Sequence, residues 1–498
     1  MTKDFEYIKL NKLYNRDDIL EIIMNSLEIP QTESLISTVE KIKSGEIKVI
    51  DLVKEHLDRA HKAQDATNAF ITILDEEALS RAKEISSEIR NPELKTQNSK
   101  LLGIPFTVKD LYLVEGTKTT FASKLMEDFV APYTSTIVQK CLDEGAILIG
   151  KCNCDPWGFG GSGENSGYGP TKHPLDFTKT PGGSSSGSAA SLLAGVGFFS
   201  LGTDTGGSVR LPASFCGLYG LKPTYGRNSR YGIGAMGSSF DTPGFLTRNV
   251  DDMELIESII AGKDIHDATT DEIEYQSSSD EARSLKIGLP KEYFAEGLSP
   301  EIKAAIDSQI KKLKSLGHEV KEVSIPSTKY GLPVYYVLVP SEISSNRARY
   351  DGVRYGKKVA DNYEDNLVQS RSQYLEDEVK RRIMVGTYAL SKGYADQFYK
   401  QASKVRTKLK REFDKVFEEV DVLITPVSPT TAFKLGEKSQ DPVQMYLVDI
   451  YTVTANLVGI PSLAIPIGKD KDGMPIGMQA MGRKWSEAEL FNFAKEIE

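Results

Sequence analysis

The spacing of apolar residues in the first part of the chain is that of amphipathic helices. Between Ser34 and Arg90, apolar residues recur at intervals that place them on one side of a helix. The two predicted faces consist of Ile36, Val39 and Ile42, and of Ile50, Val53 and Leu57. We expect Asp75 to cap a further helix over residues 76–90, because its carboxylate can accept free first-turn amides. Residues 1–34 are more polar and predict a partly helical extension ahead of the main domain, residues 35–498.

Beyond residue 100, short apolar runs indicate buried strands that alternate with helices. The runs are LLGIPFTVKD (101–110), CLDEGAILIGK (141–151, with a helix end and a glycine turn before the strand), LKIGLP (285–290) and DVLITPV (421–427). Residues 299–420 have a mainly helical pattern, and residues 460–482 predict a hairpin that turns at Asp472–Gly473. Alternation of this kind is typical of an α/β layer architecture.

Glycine is concentrated in one part of the chain. Of the 41 glycines, 21 lie between Gly158 and Gly244. A flexible linker would have such a composition, but this stretch and its edge also carry large aromatic residues that a solvated linker avoids. We therefore expect close approaches of backbone to backbone, or of backbone to a ligand, in this region. Residues 264–284, which are acidic and rich in serine, are instead predicted to be a surface connection.

The amino-acid composition and charge argue against several classes of protein. The 498 residues are 40% hydrophobic and 26% charged, which excludes a wholly disordered chain. The formal net charge of −9 argues against a broadly basic nucleic-acid surface, although it leaves room for a local basic patch. No run of eighteen apolar residues occurs, so we expect no membrane span. Neither a secretory signal nor a good transit peptide is expected at the N-terminus, since its first residues are acidic and lack an apolar core.

Cysteine and histidine offer little candidate chemistry. Four cysteines in 498 residues form no disulfide framework, and no second pair stands at zinc-ligand spacing near Cys152 and Cys154. The five histidines lie outside any nucleophile-elbow or metal-helix motif. The sequence therefore predicts reduced thiols and no metal site. A Ser-His-Asp triad is disfavoured but stays open, because triads assemble from distant residues.

The first candidate nucleophile is Ser208, in LGTDTGGSVR (201–210). A strand is expected to end near Thr203, after which Gly206 and Gly207 permit a tight turn. Such a turn can direct the backbone amides of Thr205, Gly206, Gly207 and Ser208 toward one point, as an oxyanion hole requires. By itself the T-G-G-S pattern also fits an ordinary turn.

Two further segments carry candidate chemistry. PGGSSSGSAASLLAG (181–195) places small residues at the start of an apolar helix, but without G-K-[ST] it is no phosphate loop. Lys109 ends an apolar strand, where a lysine commonly extends to solvent. If it is buried instead, its pKa would fall from about 10.4 by as much as roughly 3–5 units, and a neutral lysine can act as a general base.

Taken together, these segments resemble the amidase signature family. The motifs are GIPFTVKD (103–110), PGGSSSGSAA (181–190) and LGTDTGGSVRLPASFCGLYGLKPTYGR (201–227), and the resemblance covers roughly residues 35–482. It implies a mixed β-sheet sandwiched by α-helices, with a catalytic core at about 100–250 and a helical insertion at about 299–420. It also implies a Ser–cis-Ser–Lys triad, with Ser208 as nucleophile, Ser184 as the bridging serine and Lys109 as base.

Within this family the chain is most similar to the glutaminase subunits of tRNA-dependent amidotransferases. The segments that carry this similarity are ENSGYGPTKHP (164–174), KPTYGRNSRYG (222–232), ARYDGVRYG (348–356), EVKRRIMVGTYALSKGY (378–394) and MYLVDIYTVTANLVGIPSLAIPIG (445–468). The resemblance implies that Arg382 binds the α-carboxylate of glutamine and Asp449 its α-amino group, with Tyr335 lining the pocket. A zwitterion needs one cation and one anion in its pocket, which agrees with this assignment.

The same resemblance predicts partners. It implies a heterotrimer with the amidotransferase B and C subunits, which converts Glu-tRNA(Gln) to Gln-tRNA(Gln) with ATP in the bacterial cytoplasm or an organelle matrix. No P-loop is present, so ATP and Mg are assigned to the partner, which is also expected to hold most of the tRNA. The alternatives are a stand-alone amidase for small amides and a catalytically inactive scaffold. The amino-acid clamp argues against the first, and the retained triad against the second.

The chain departs from the family pattern near the site. Ser186 stands where glycine is usual, and it would be costly if the backbone there had positive φ. Residues 154–166 contain Pro156 and additional glycines in a stretch expected to line the site. Both departures bear on substrate choice.

Overall fold

The structure, a computed structural model, describes residues 26–89, 99–277, 284–294, 297–438 and 441–498. The strands are β1 Phe70–Ile73, β2 Pro105–Lys109, β3 Ile147–Cys152, β4 Phe199–Asp204, β5 Tyr219–Lys222, β6 Thr242–Thr247, β7 Lys286–Pro290, β8 Glu319–Val323, β9 Val422–Pro426, β10 Ser462–Lys469 and β11 Pro475–Met481. The helices are α1 Leu35–Ser44, α2 Val49–Thr67, α3 Asp75–Glu88, α4 Thr136–Asp143, α5 Ser186–Leu193, α6 Arg210–Cys216, α7 Val250–Ile260, α8 Pro300–Ser315, α9 Gly331–Asn346, α10 Tyr363–Tyr374, α11 Asp377–Leu390, α12 Tyr399–Val416, α13 Pro442–Leu447, α14 Val453–Val458 and α15 Glu487–Lys495.

All eleven of these strands form one mixed sheet, as the family resemblance implies. Its order is β1-β3-β2-β4-β6-β5-β10-β11-β9-β7-β8. Strand β2 runs parallel to both β3 and β4, whereas β4, β6, β5, β10, β11 and β9 pair antiparallel in turn. Because parallel strands end at the same edge, Lys109 at the end of β2 lies beside the end of β4. The sheet thereby brings the first candidate base close to the segment that leads into the candidate nucleophile.

The predicted strands are present, and their interiors are buried. All residues of β2, β3, β4 and β9 are buried. Burial on both faces explains why β2, β3 and β9 lie in largely apolar runs of the sequence rather than in alternating ones. The predicted hairpin is β10–β11, and its turn contains Gly473 with φ of 80°. A cluster of buried apolar residues packs against α9, α11 and α12 and includes Val339, Val379 and Leu409. This cluster supports the helical region of the site.

Several details of the N-terminal helical prediction are wrong. The stretch contains strand β1 as well as three helices, and its fourth element, α3, begins at Asp75 itself after Leu74, so Asp75 is not the cap. Ile36 is 40% exposed, while Leu35, Thr38, Val39 and Ile42 form the buried face of α1. The spacing of Ile36, Val39 and Ile42 fits one helix face, but it did not show that Leu35, rather than its neighbour Ile36, faces the core. Residues 1–25 of the predicted extension lie outside the described residues.

Two later segments also differ from prediction. Strand β8 interrupts the helical stretch 299–420. None of its residues is fully buried, and its sequence, EVKEV, therefore has little apolar signal. The segment after residue 264 is not purely superficial, because Asp264 and Asp267 are buried. Asp267 accepts two hydrogen bonds from the Arg230 guanidinium, at 3.0 Å and 2.9 Å. Residues 278–283 of this segment lie outside the described part of the chain.

Candidate active site

Lys109 is fully buried and does not extend to solvent. Its Nζ lies 2.7 Å from Ser184 Oγ, 2.9 Å from Thr203 Oγ1 and 3.2 Å from Ser185 Oγ. All three partners are hydroxyls, and within the described residues no carboxylate forms a hydrogen bond or ion pair with this amine. Burial lowers the pKa of Lys109 to about 8, against a smaller opposing effect of acidic groups nearby. About a tenth of this amine is therefore neutral near pH 7, against far less for an ordinary lysine, and the neutral form can accept a proton.

Ser184 follows a cis peptide bond from Gly183, as the family resemblance implies. The serine is fully buried, and its carbonyl accepts the Asp155 N–H at 3.2 Å. Helix α5 begins two residues later with Ser186, which has no positive φ. Ser186 Oγ lies 3.1 Å from Thr171 Oγ1, so this departure from the family pattern is accommodated without backbone cost.

Ser208 lies in the turn between β4 and α6, and Asp204 shapes that turn. Asp204 accepts the backbone N–H of Gly207 at 2.9 Å and that of Val209 at 3.2 Å. The Ser208 carbonyl in turn accepts the Ser185 N–H at 3.2 Å, which joins the turn to the Ser184 segment. The Ser208 side chain itself makes no hydrogen bond among the described residues. Its hydroxyl is therefore not engaged in a competing interaction.

The predicted oxyanion hole is only partly available in this structure. The Gly207 amide is occupied by Asp204, while those of Thr205, Gly206 and Ser208 have no acceptor among the described residues. The Gly206 carbonyl accepts Thr452 Oγ1 at 2.6 Å, which fixes the orientation of this peptide. Three amides of the turn thus remain for an anion, and a role for Gly207 stays a prediction.

A buried network of charged and polar side chains stabilises the turn that holds Ser208, and it was not predicted from the sequence. The Arg210 guanidinium bonds to both oxygens of Asp204, at 3.0 Å each, and also to Asn456 Oδ1 at 2.7 Å and Gln479 Oε1 at 2.9 Å. Although burial opposes ionisation, Arg210 holds the pKa of Asp204 at about 2. Asp204 and Arg210 lie within the quoted motif LGTDTGGSVR, so their spacing around Ser208 was the available signal. Asn456 lies within the quoted segment 445–468 but was not singled out, and Gln479 lies outside the quoted motif segments.

Arg382 lies on the buried face of α11 inside an aromatic enclosure. Its Nε donates to Glu378 Oε1 at 2.7 Å, one helical turn away. The guanidinium carbon lies 5.3 Å from the ring centre of Tyr336, 5.6 Å from that of Tyr446 and 5.8 Å from that of Phe159. The negative charge of Glu378 keeps the pKa of Arg382 well above its ordinary value despite burial. A permanent cation is thus held, and within the described ranges its two terminal nitrogens make no hydrogen bond, which leaves them available to a carboxylate.

Asp449 lies close to Arg382 but makes no ion pair with it. Tyr336 donates to Asp449 Oδ2 at 3.3 Å. Burial raises the pKa of Asp449 to about 7, while the nearby Arg382 and the Tyr336 hydroxyl act in the opposite direction. Its neighbour Thr452 bonds to Gly206, so the Asp449 segment is joined to the nucleophile turn. The two charged residues predicted for a zwitterion therefore lie close to each other, and the Asp449 segment is joined to the turn that holds Ser208.

Tyr335 and Tyr336 are adjacent in the chain but contact different parts of the site. The Tyr335 ring lies over Gly206, where an added Cβ would come within 2.6 Å of its Cζ. Tyr336, which the sequence analysis did not select, contacts Arg382 and Asp449. Adjacent residues of α9 point about 100° apart, so both tyrosines can line one site from different sides.

Close packing of α9 against α11 sets the position of this clamp. A Cβ built at Gly386 of α11 would overlap the carbonyl oxygen of Pro340 in α9. Glycine at this position therefore allows the two backbones to touch. The contact places Arg382, one turn earlier in α11, against Tyr336 of α9. Gly386 lies within the quoted segment 378–394, but nothing in that segment indicated which backbone it would contact.

Residues 154–166 form one wall of the site and are organised by Asp155. Its carboxylate accepts the N–H groups of Gly163 at 2.9 Å and Asn165 at 3.1 Å. Burial raises the pKa of Asp155 to about 6. The additional glycines have a steric reason, because a Cβ at Gly160 would overlap the Asp155 carboxyl group. A small cavity of about 50 Å³ lies between this wall, Arg382 and Tyr446.

A larger cavity opens beside the Lys109 cluster. Its volume is about 210 Å³, and it extends from Thr203 and Thr205 to Arg230 and Asp267. Thr203 Oγ1 is the same oxygen that contacts Lys109 Nζ.

Other candidate chemistry is not assembled by the fold. The four cysteines are buried and unpaired, and His173 bonds to the Phe215 carbonyl at 2.9 Å. Across the described ranges, no group of His, Cys, Asp and Glu side chains is arranged to hold a metal ion. Among the same residues, no helix is long and apolar enough to cross a membrane.

The family model for amidases matches residues 51–491. The chain therefore belongs to the amidase signature family. It is 46% identical over 92% of its length to the glutamyl-tRNA(Gln) amidotransferase A subunit of Thermoanaerobacter pseudethanolicus, covering 94% of that protein. The corresponding protein from Koribacter versatilis, which has the same name, is 47% identical over 90% of this chain and 94% of its own length. The crystal structure of the Thermotoga maritima protein of that name has a TM-score of 0.77 at 34% identity, covering 95% of this chain and 96% of that one.

Proposed function

We propose that this chain is the glutamine-hydrolysing subunit of a tRNA-dependent amidotransferase. In this proposal it releases ammonia from glutamine, and the ammonia converts Glu-tRNA(Gln) to Gln-tRNA(Gln). One observation carries the substrate assignment: Arg382 and Asp449 place a cation and an anion together beside the Ser208 turn. The names of the relatives support the larger reaction.

Hydrolysis would proceed by acyl transfer at Ser208. Neutral Lys109 takes the proton of Ser184, which takes that of Ser208 as Ser208 Oγ attacks the side-chain amide carbon of glutamine. The amides of Thr205, Gly206 and Ser208 are placed to stabilise the resulting oxyanion. The proton returns through Ser184 to the departing nitrogen, the carbon–nitrogen bond breaks, and ammonia leaves. Water then attacks the acyl-enzyme by the same relay and releases glutamate.

The clamp would orient the substrate before this chemistry. Arg382 has guanidinium nitrogens left over from its bond to Glu378, and these would bind the glutamine α-carboxylate. The ionised Asp449 would bind the α-ammonium group. Two charged contacts on the backbone end of the amino acid leave its side-chain amide directed at Ser208, which makes the attack effectively intramolecular.

The remaining steps belong to partners in this proposal. The B and C subunits would complete a heterotrimer, and ATP and Mg would act on the partner. No cofactor is assigned to this chain. The absence of a P-loop and the net charge of −9 support placing nucleotide and most of the tRNA elsewhere.

The deciding experiment measures ammonia release from L-glutamine by the chain purified with its bound partners, with and without Glu-tRNA and ATP. We expect release that rises when both are added, together with formation of Gln-tRNA. A panel of neutral amides, tested with the lone chain, is the comparison. Efficient hydrolysis of these amides, indifferent to tRNA and ATP, would instead identify a stand-alone amidase and remove the clamp roles of Arg382 and Asp449.

A further inference from the structure

The outer face of α12 carries a row of cations that the site does not use. Exposed basic residues recur at helical spacing on the side opposite the buried Ala402, Leu409 and Phe413. We refer to Lys400, Lys404, Lys408, Arg411 and Lys415 as the basic row. At 1.5 Å per residue it spans about 22 Å along one face. In a chain with a net charge of −9, this is a local concentration of positive charge.

Most of this charge is not neutralised locally. Lys400 pairs with Asp396 at 2.6 Å, and Lys408 lies 3.8 Å from Glu412. Glu412 is itself held by Ser327, whose Oγ donates to it at 2.7 Å. Lys404, Arg411 and Lys415 make no ion pair within the described ranges. Three exposed cations on one helical face thus remain available to an outside anion.

Exposed aromatic rings stand at the N-terminal end of the same helix. Tyr388 is 53% exposed, Tyr394 40% and Phe398 39%. Their ring centres are 4.5 Å apart for Tyr388–Tyr394 and 6.0 Å apart for Tyr394–Phe398, so they form one surface cluster. Aromatic faces next to a cationic track are the combination that binds unpaired bases together with their phosphates.

We propose that the basic row and this aromatic cluster bind RNA, namely the tRNA of the proposed function, through its phosphate backbone and unpaired bases. This inference rests on the proposed function for the identity of the RNA. An acidic protein surface is the competing occupant. Protein interfaces are depleted in lysine, whereas lysine contacts phosphate readily as a point charge, so a row of four lysines and one arginine favours RNA.

The position of the cluster connects it to the glutamine clamp. Helix α11 carries Arg382 on its buried face and Tyr388 on its exposed face. RNA seated on Tyr388 would therefore contact the helix that holds the substrate cation. The partner would still supply most of the tRNA contacts, and this face would add a few.

The test measures tRNA affinity of the complex that co-purifies with this chain, as a function of salt. Lys404→Gln/Arg411→Gln is compared with wild type and with Lys311→Gln/Lys314→Gln, which removes two exposed charges from α8. Each lost phosphate contact lowers the slope of log K against log salt by about 0.7–0.9, so we expect a reduction of about 1.4–1.8 and at least tenfold weaker binding at low salt. The α8 variant should behave as wild type.

A second variant separates stacking from charge. Tyr388→Ala/Phe398→Ala should weaken tRNA binding about fivefold or more without changing the salt slope, because neither residue is charged. Unchanged affinity and slope in the α12 variant would overturn the proposal. Loss of partner subunits from that variant would also overturn it and assign the face to an acidic protein. Direct binding is read without turnover, so failure of glutamine hydrolysis would not be mistaken for either result.

Discussion

Lys109 Nζ lies 2.7 Å from Ser184 Oγ, and among the residues that the structure describes no carboxylate pairs with this amine. The amine is surrounded instead by the hydroxyls of Ser184, Ser185 and Thr203. Hydroxyls can serve as donors or acceptors, so they solvate either protonation state of the amine without forcing it to stay charged. This is how a buried lysine can be a base rather than half of an ion pair.

The first prediction concerns the pH dependence of turnover. Only neutral Lys109 can accept the Ser184 proton, and burial places its pKa at about 8. We therefore expect kcat for glutamine to rise with pH up to about 8 and to fall about tenfold per unit below it. Lys109→Arg should abolish turnover, because a guanidinium stays protonated. A flat kcat between pH 6 and 8 would contradict this role for Lys109.

The second prediction concerns the nucleophile. Ser208→Ala should eliminate glutamine hydrolysis, since no acyl-enzyme can form. Its melting temperature should stay close to that of wild type, because the Ser208 hydroxyl makes no hydrogen bond among the described residues. Ammonia release and thermal unfolding are measured on the same preparation. Substantial residual turnover would exclude Ser208 as nucleophile, whereas a lowered melting temperature alone would point to a structural role.

The third prediction concerns the α-carboxylate of the substrate. Arg382→Met should raise the KM for glutamine about 10- to 100-fold, the range expected for a lost charged hydrogen bond. Hydrolysis of a neutral amide without an α-carboxylate should change far less. Arg381→Met is the matched control, because the Arg381 guanidinium also contacts Glu378 but is 44% exposed. Equal effects on both substrates would place Arg382 outside the pocket.

The fourth prediction concerns the ionisation of Asp449, which should affect KM separately from the effect of Lys109 on kcat. Asp449 must be ionised to bind an ammonium group, and burial raises its pKa to about 7 in the unliganded protein. The KM for glutamine should therefore increase as pH falls below about 7, while kcat follows the higher pKa of Lys109. Asp449→Asn should raise KM and remove its pH dependence. If KM of this variant kept the wild-type pH profile, another group would be responsible.

The fifth prediction concerns helix packing. Gly386→Ala puts a Cβ where the Pro340 carbonyl oxygen already stands, so α11 must move from α9. We expect a loss of about 1–3 kcal/mol in the free energy of unfolding, as for other overpacked contacts. We also expect a raised KM for glutamine, since Arg382 moves with the helix. The neighbouring surface change Thr387→Ala should do neither, as judged by urea unfolding and steady-state kinetics.

Motifs that lie within one segment were readable without a structure. The apolar run of β2 ends in Lys109, and the turn that holds Ser208 is contained in ten residues, so strand, turn and chemistry appear together in the sequence. The same applies to β3 and to the β10–β11 hairpin. Strand β8 was missed because its sequence, EVKEV, has a weak apolar signal and its position depends on pairing within the sheet. Strand β1, FITI, is apolar but only four residues long and lies between two helices, so it was included in the helical pattern.

What the sequence by itself determined is the set of groups available: a lysine at a strand end and small residues that permit sharp turns. The cation and the anion for a zwitterion were predicted only through the family resemblance. Only the tertiary structure decided which of them meet. Tyr336 reaches Asp449 across 113 residues, and Thr452 reaches Gly206 across 246. Which of two adjacent tyrosines faces the clamp depends on the rotation of α9, which packing against Gly386 sets. The pKa values of Lys109 and Asp449 likewise depend on burial, which is a property of the assembled fold and not of any segment.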